Sequence, residues 1–134
     1  MIDQVGRHVL LVLVENRPGV LLRVVSLISR RGFNIESLSV GPTEDPTRSR
    51  ITIITDVDDE SWEQITKQLN KLIVVHKITD LTNEPSIERE LVLFKVNAPS
   101  EKRSEVVELA NLFRANIVDV GRSQLTIEAT GESA

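Results

Sequence analysis

Two asparagines and a glycine carry most of the chemistry that this 134-residue sequence offers. Asn16 and Gly19 lie in "VLVENRPGVLLRVV", where an apolar run breaks at Glu15, Asn16, Arg17, Pro18 and Gly19 and then resumes. That is the pattern of a strand turning into a helix. A helix start exposes backbone N–H groups and the positive end of the macrodipole, so Asn16 to Leu21 can receive a carboxylate or a phosphate. Gly19 lets a ligand approach the main chain, and the Asn16 amide can both donate and accept. An amino acid presents both kinds of partner. Its carboxylate can take the amides near Gly19 to Leu21, each charge-assisted bond contributing on the order of 1.5–3 kcal/mol when shielded from water. Asn34, which opens the next apolar segment, is a second polar candidate. Taken alone, the interruption reads first as an ordinary turn.

Other chemistries find little support. Zero cysteines exclude disulfides, thiolate nucleophiles and cysteine metal sites, and two histidines, His8 and His76, are too few for a metal cluster. Asp56, Asp58, Asp59 and Glu60 read as a helix cap and a solvated turn. Arg30 and Arg31 read first as helix-end charges that suit the dipole, and second as contacts to a partner. No nucleophile–base pair or phosphate loop is visible.

The elements that position the turn follow from periodicity. Arg7 to Val14 is a short, branched apolar run, a strand apolar on both faces. After Pro18, whose missing N–H suits a first helical position, Val20, Val24 and Leu27 with Leu21, Val25 and Ile28 form a helical stripe, and Gly32 closes that helix. "FNIESLSVG" and "RITIITDV" read as strands joined by the exposed "PTEDPTRS". Asp58, Asp59 and Ser61 can cap a second helix with Trp62, Ile65, Leu69 and Leu72 on one face, and "IVVHKITDL" is a fourth strand. The order β-α-β-β-α-β is the ferredoxin-like arrangement, an α+β fold. The doubly apolar first strand asks for cover on its second face, from another copy or from the rest of the chain.

After the linker "LTNEPSI" the pattern repeats. "RELVLFKV" at 89 matches "RHVLLVLV" at 7, and "NIVDV" at 116 matches "NIESL" at 34; both pairs share an offset of 82 (89 − 7 and 116 − 34). Val106, Leu109, Ala110 and Phe113 form the intervening helical stripe. The expected division is 1–82 for a first domain and 83–134 for a second that lacks its last helix and strand, a shortened form or one whose gap a partner fills. Its turn, "VNAPSEK", has no glycine and is expected to hold no ligand.

Bulk properties bound the function. Hydrophobic residues make up 40% and charged residues 27%, as in a globular protein. No apolar run approaches the roughly 20 residues of a membrane span, and no signal-peptide pattern is present, so no membrane role and a cytoplasmic location are expected. A net charge of −4, a pI near 5.2 and 3% aromatic residues argue against nucleic acid.

"ENRPGVLLRVVSLISRRGFNIESLSVGPTEDPTRSRITI" resembles the N-terminal ACT domain of the acetohydroxyacid synthase (acetolactate synthase) small subunits, with the turn, the "RRGFNIESL" passage and the hairpin in order. The likeness extends through "IERELVLFKVNA" and "FRANIVDV". It implies a regulatory subunit without a catalytic site, which stimulates a catalytic large subunit and confers feedback inhibition by valine or another branched-chain amino acid. Thiamine diphosphate, magnesium and FAD are then expected only in the large subunit, and none in this chain. The resemblance also implies a homodimer through ACT domains, with the effector between Asn16, Gly19, Val20 and Leu21 of one chain and Asn34 and Ile35 of the other. The rival reading is an RNA-binding ferredoxin-like domain, for which Phe33 and Phe94 are the only strand aromatics. A third, a free-standing enzyme, requires turnover without a partner.

Overall fold

The computed structural model of the protein describes residues 5–132. A first unit runs β1 (Gly6–Glu15), α1 (Val20–Ser29), β2 (Ile35–Pro42), β3 (Arg48–Val57), α2 (Asp59–Asn70) and β4 (Val75–Asp80). Its antiparallel sheet has the order β2-β3-β1-β4, the ferredoxin-like topology of an α+β fold. Register explains the core. Leu10 lies opposite Ile53 and Val12 opposite Ile51, so alternate residues of the two central strands share one face. That face, with Val14, meets Val24 and Ile28 of α1 and Ile65 and Leu69 of α2, and all of these side chains are fully buried. Each contributes about 1.5–3 kcal/mol on burial. On the opposite face of β1, Val9 is buried but Leu11 and Leu13 are only half-buried, so the strand is fully covered on its helix side alone.

Pro18 is not the first helical residue. The Val20 amide donates to the Arg17 carbonyl at 3.4 Å, and Gly19 has φ 84° and ψ −11°. Those angles fit the third position of a type II turn, which wants proline before it and glycine at it. The turn therefore claims Pro18, and the helix begins one residue after Gly19. At the other end α1 stops at Ser29, and Gly32, at φ 77°, reverses the chain.

In β2 the register shifts between Ile35 and Ser37, so Leu38 and Val40, not Ser37, lie opposite the core residues Ile53 and Ile51. Reading "FNIESLSVG" as a plain strand does not show this irregularity. Phe33 lies before the strand and packs against the core. The α2 start is as its sequence suggests, with the Ser61 amide donating to Asp58 Oδ1 at 2.8 Å. Leu72 falls beyond the helix yet still packs on the core.

The described residues divide between a unit ending at Ser86 and another beginning at Ile87, four residues beyond the division at 82. Thr82 ties this segment to the first unit: its hydroxyl receives the Val9 amide at 3.2 Å, and its own amide donates to Asp80. The second unit comprises β5 (Glu90–Asn97), α3 (Arg103–Leu112), β6 (Asn116–Val120) and β7 (Gln124–Gly131), with sheet order β5-β7-β6. Its helical stripe is rotated from the expected one. Arg103, Val106, Val107 and Ala110 are the sheltered positions, whereas Leu109 is 50% and Phe113 78% exposed. The Arg103 bonds described below fix that phase. Among the described residues no helix is long and apolar enough to cross a membrane.

Candidate effector site

The turn sits where β1 leaves the sheet. Its first member, Asn16, is exposed and doubly tied to the β2–β3 hairpin: its amide donates to the Thr47 carbonyl at 2.8 Å and its side-chain Nδ2 to the Pro46 carbonyl at 3.0 Å. One side-chain donor is thus committed to the protein, while Oδ1 remains available to accept. Gly19 is exposed, and a Cβ built on it would meet nothing within 4 Å. Its need for glycine is therefore conformational, and the space over it is open to a ligand. Val20 turns its side chain into the core at 3% exposure, so only its main chain can face a ligand. Leu21 is 39% exposed. Helix geometry gives the amides of Leu21 and Leu22 no intrahelical acceptor, so they and the dipole point at the space beside Gly19.

Charge around the turn is balanced locally. Arg17 Nε lies 2.8 Å from Glu15 Oε2, and Arg48 Nε lies 3.6 Å from Asp45 Oδ2. Asp45 also organises the hairpin, receiving the Thr47 hydroxyl at 2.7 Å and the Thr47 amide at 2.9 Å. The Thr47 hydroxyl first, then its amide, and more weakly Arg48 hold the Asp45 carboxyl below its ordinary range.

Asn34 and Ile35 are elsewhere in the same unit. Asn34 is exposed and offers its carbonyl to the Thr55 hydroxyl at 2.6 Å; Ile35 is half-buried and lies opposite Thr55. Glu15, by contrast, lies opposite Arg48. Seven residues of β3 separate Arg48 from Thr55 (55 − 48), roughly 23 Å at the rise of a strand. A single chain therefore does not bring Asn16, Gly19, Val20 and Leu21 together with Asn34 and Ile35 around one amino acid.

The corresponding turn of the second unit is closed from within. The offset of 82 puts Ala98 at the place of Asn16 and Arg103 at that of Leu21 (98 − 82 and 103 − 82). Arg103 Nη2 donates to the carbonyls of Gly121 at 2.6 Å and Arg122 at 2.7 Å, and reaches that of Ala98 at 3.4 Å. The guanidinium thus ties the start of α3 to the end of β5 and to the β6–β7 connection.

Sequence reasoning missed a polar cluster at the other end of β1. His8 is buried and stacks on Trp62, with ring centroids 4.6 Å apart and an interplanar angle of 21°. Trp62 Nε1 donates to Asp80 Oδ2 at 2.7 Å, and His8 Nε2 lies 3.6 Å from Asp59 Oδ1. The partners come from β1, α2 and β4, and no sequence spacing announces them. Among the described residues no three or more His, Asp or Glu side chains gather to hold a metal ion. Phe33, offered as a strand aromatic for RNA, is packed against the core, which leaves Phe94 on a strand.

Residues 10–77 match the family of AHAS small subunit-like ACT domains, and residues 89–134 match the family described as the small subunit of acetolactate synthase. The chain is 60% identical over 124 residues to an acetolactate synthase small subunit of Mycobacterium bovis, covering 92% of this chain and 74% of that protein. It is 58% identical over 126 residues to a probable acetolactate synthase small subunit of Archaeoglobus fulgidus, covering 94% and 79%. The crystal structure of the acetolactate synthase small subunit from Thermotoga maritima superposes with a TM-score of 0.86 at 43% identity, covering 95% of this chain and 80% of that one.

Proposed function

The chain belongs to the acetolactate synthase small-subunit family, the regulatory ACT-domain subunits of that enzyme, and on that premise we propose how it regulates. It associates with the catalytic large subunit in the cytoplasm, stimulates it, and makes it subject to feedback inhibition by a branched-chain amino acid, valine being favoured. Thiamine diphosphate, magnesium and FAD belong to the large subunit. The effector lies between two copies of the first unit. The turn of one chain supplies the amides near Gly19 to Leu21 for the effector carboxylate and the Asn16 carbonyl oxygen for its ammonium, and Asn34 and Ile35 of the other chain complete the pocket. Because the ligand contacts both chains, it stabilises one arrangement of the pair over others, and that population shift is what the large subunit senses.

The observation that supports this reading most is the open space over Gly19 beside first-turn amides, in a unit whose Asn34 is a sheet-length away. Calorimetry with valine, leucine and isoleucine tests it on the wild type, Gly19→Asn and Gly19→Asp. Both substitutions fill the same volume, and asparagine tolerates the left-handed backbone. Only aspartate sets a carboxylate against that of the ligand. At least tenfold weaker valine binding by the aspartate variant than by the asparagine variant is expected; equal affinities would remove the site. Acetolactate formation by the large subunit, with and without this chain and valine, tests stimulation and inhibition directly.

A further inference from the structure

Between Glu15 and Glu36 the sequence holds four arginines and no carboxylate, in a chain whose net charge is −4. The fold gathers three of the four, Arg23, Arg30 and Arg31, along a groove of about 600 Å³ between α1 and α2. No Asp or Glu lines it. Arg31 Nη1 donates to the neutral Gln64 Oε1 at 3.0 Å, and among the described residues Arg23 and Arg30 pair with no carboxylate. The acidic α2 residue Glu63 is already held by Lys67 at 2.8 Å. The remaining walls are apolar: Leu27 and Leu72 are half-buried, and Leu22, at 70% exposed, stands on the rim. Ser26, one turn on from Leu22, is small and leaves depth between them.

A guanidinium fork matches a carboxylate in geometry as well as charge. Three of them around an apolar trough fit a surface that inserts one apolar side chain and flanks it with acidic ones. The groove is open along the outer side of the helices and does not enclose a small ligand. It has no aromatic side chain on which a base could stack. We propose that this groove docks the chain onto the catalytic large subunit, through an acidic segment of that subunit carrying an apolar anchor. The assignment rests on the reading of the chain as a regulatory subunit and adds the surface through which it acts. The groove begins at Leu22 and runs along the helices away from the turn that carries the proposed effector contacts.

The test titrates the large subunit with the full chain, with Arg23→Glu/Arg30→Glu and with Gln68→Glu, which sets a carboxylate in the groove from α2, at low and high salt. Folding is checked by circular dichroism and valine binding by calorimetry on the chain alone. At least tenfold weaker association is expected for both variants, with a shallower salt dependence for the charge reversal and unchanged valine affinity. Should the reversal not fold, Arg23→Gln/Arg30→Gln, neutral at exposed positions, carries the same expectation of weakening. Wild-type association by folded variants overturns the assignment. So does a change in the self-association of the chain without the large subunit, or loss in these variants of binding to single-stranded RNA. Failure of the wild type to associate at all overturns the underlying regulatory reading instead.

Discussion

Replacing Gly19 by alanine isolates a backbone effect from every contact. The residue has φ 84°, and a Cβ there would meet nothing within 4 Å, so no collision enters. What remains is the cost of an L side chain in the left-handed region, roughly 1–2 kcal/mol. Gly41 provides the matched control. Its surroundings are equally open, but its φ lies outside that region, and there alanine reduces only the freedom of the unfolded chain. Gly41→Ala should therefore lie within about 1 kcal/mol of the wild type, on the stabilising side. Trp62 is the only tryptophan and belongs to α2, so its fluorescence follows the first unit through urea and thermal unfolding. For a unit of this size each kcal/mol moves the midpoint by roughly 4–8 °C. Gly19→Ala should melt lower by about that amount or twice it, and Gly19→Asn should recover part of the loss. Equal midpoints for Gly19→Ala and Gly41→Ala would show that the turn relaxes to another conformation, and the type II assignment would fall.

The acid limb of stability should depend on Asp80. Burial raises its pKa, but donation from Thr82 and Trp62 outweighs that and leaves it lowered. A carboxyl depressed in the folded state adds stability above its unfolded value of about 3.9, which is lost as pH falls through the folded one. Urea midpoints between pH 6 and pH 3 should therefore fall less steeply for Asp80→Asn than for the wild type, and parallel curves would refute the attribution. In the second unit, Arg103→Ala removes the donor shared by the Gly121 and Arg122 carbonyls and should cost about 1–3 kcal/mol. Hydrogen exchange at the Ala98 amide, which donates to the Ser123 carbonyl, should quicken in that variant; unchanged protection would count against the clamp.

Periodicity made β1, β3 and α2 legible, because their core residues repeat at two or three to four positions and tertiary packing does not override the pattern. It misread Pro18 because proline suits both a helix start and the second position of a type II turn; Gly19 decides between them, and only its φ shows it. The β2 register was hidden by one irregularity after Ile35, and the phase of α3 by an arginine whose partners lie about twenty residues downstream. The candidate site residues stood out as a turn and an asparagine; the resemblance divided them between two chains, but spacing alone did not give their separation within one, because strand order is a long-range property. The apolar walls of the basic groove were likewise scattered over two helices, so Arg30 and Arg31 read as end charges before partner contacts.

The sheet-length separation of Asn16 from Asn34 has a genetic meaning. Under the proposed pairing each dimer has two effector sites, and each site draws its two halves from different chains. A lesion in the turn and a lesion at Asn34, carried on separate chains, would concentrate both defects in one site of the mixed dimer and leave the other wholly normal. Two alleles that each abolish feedback alone would then together restore one normal site in every mixed dimer, whereas two lesions within the same turn would restore none.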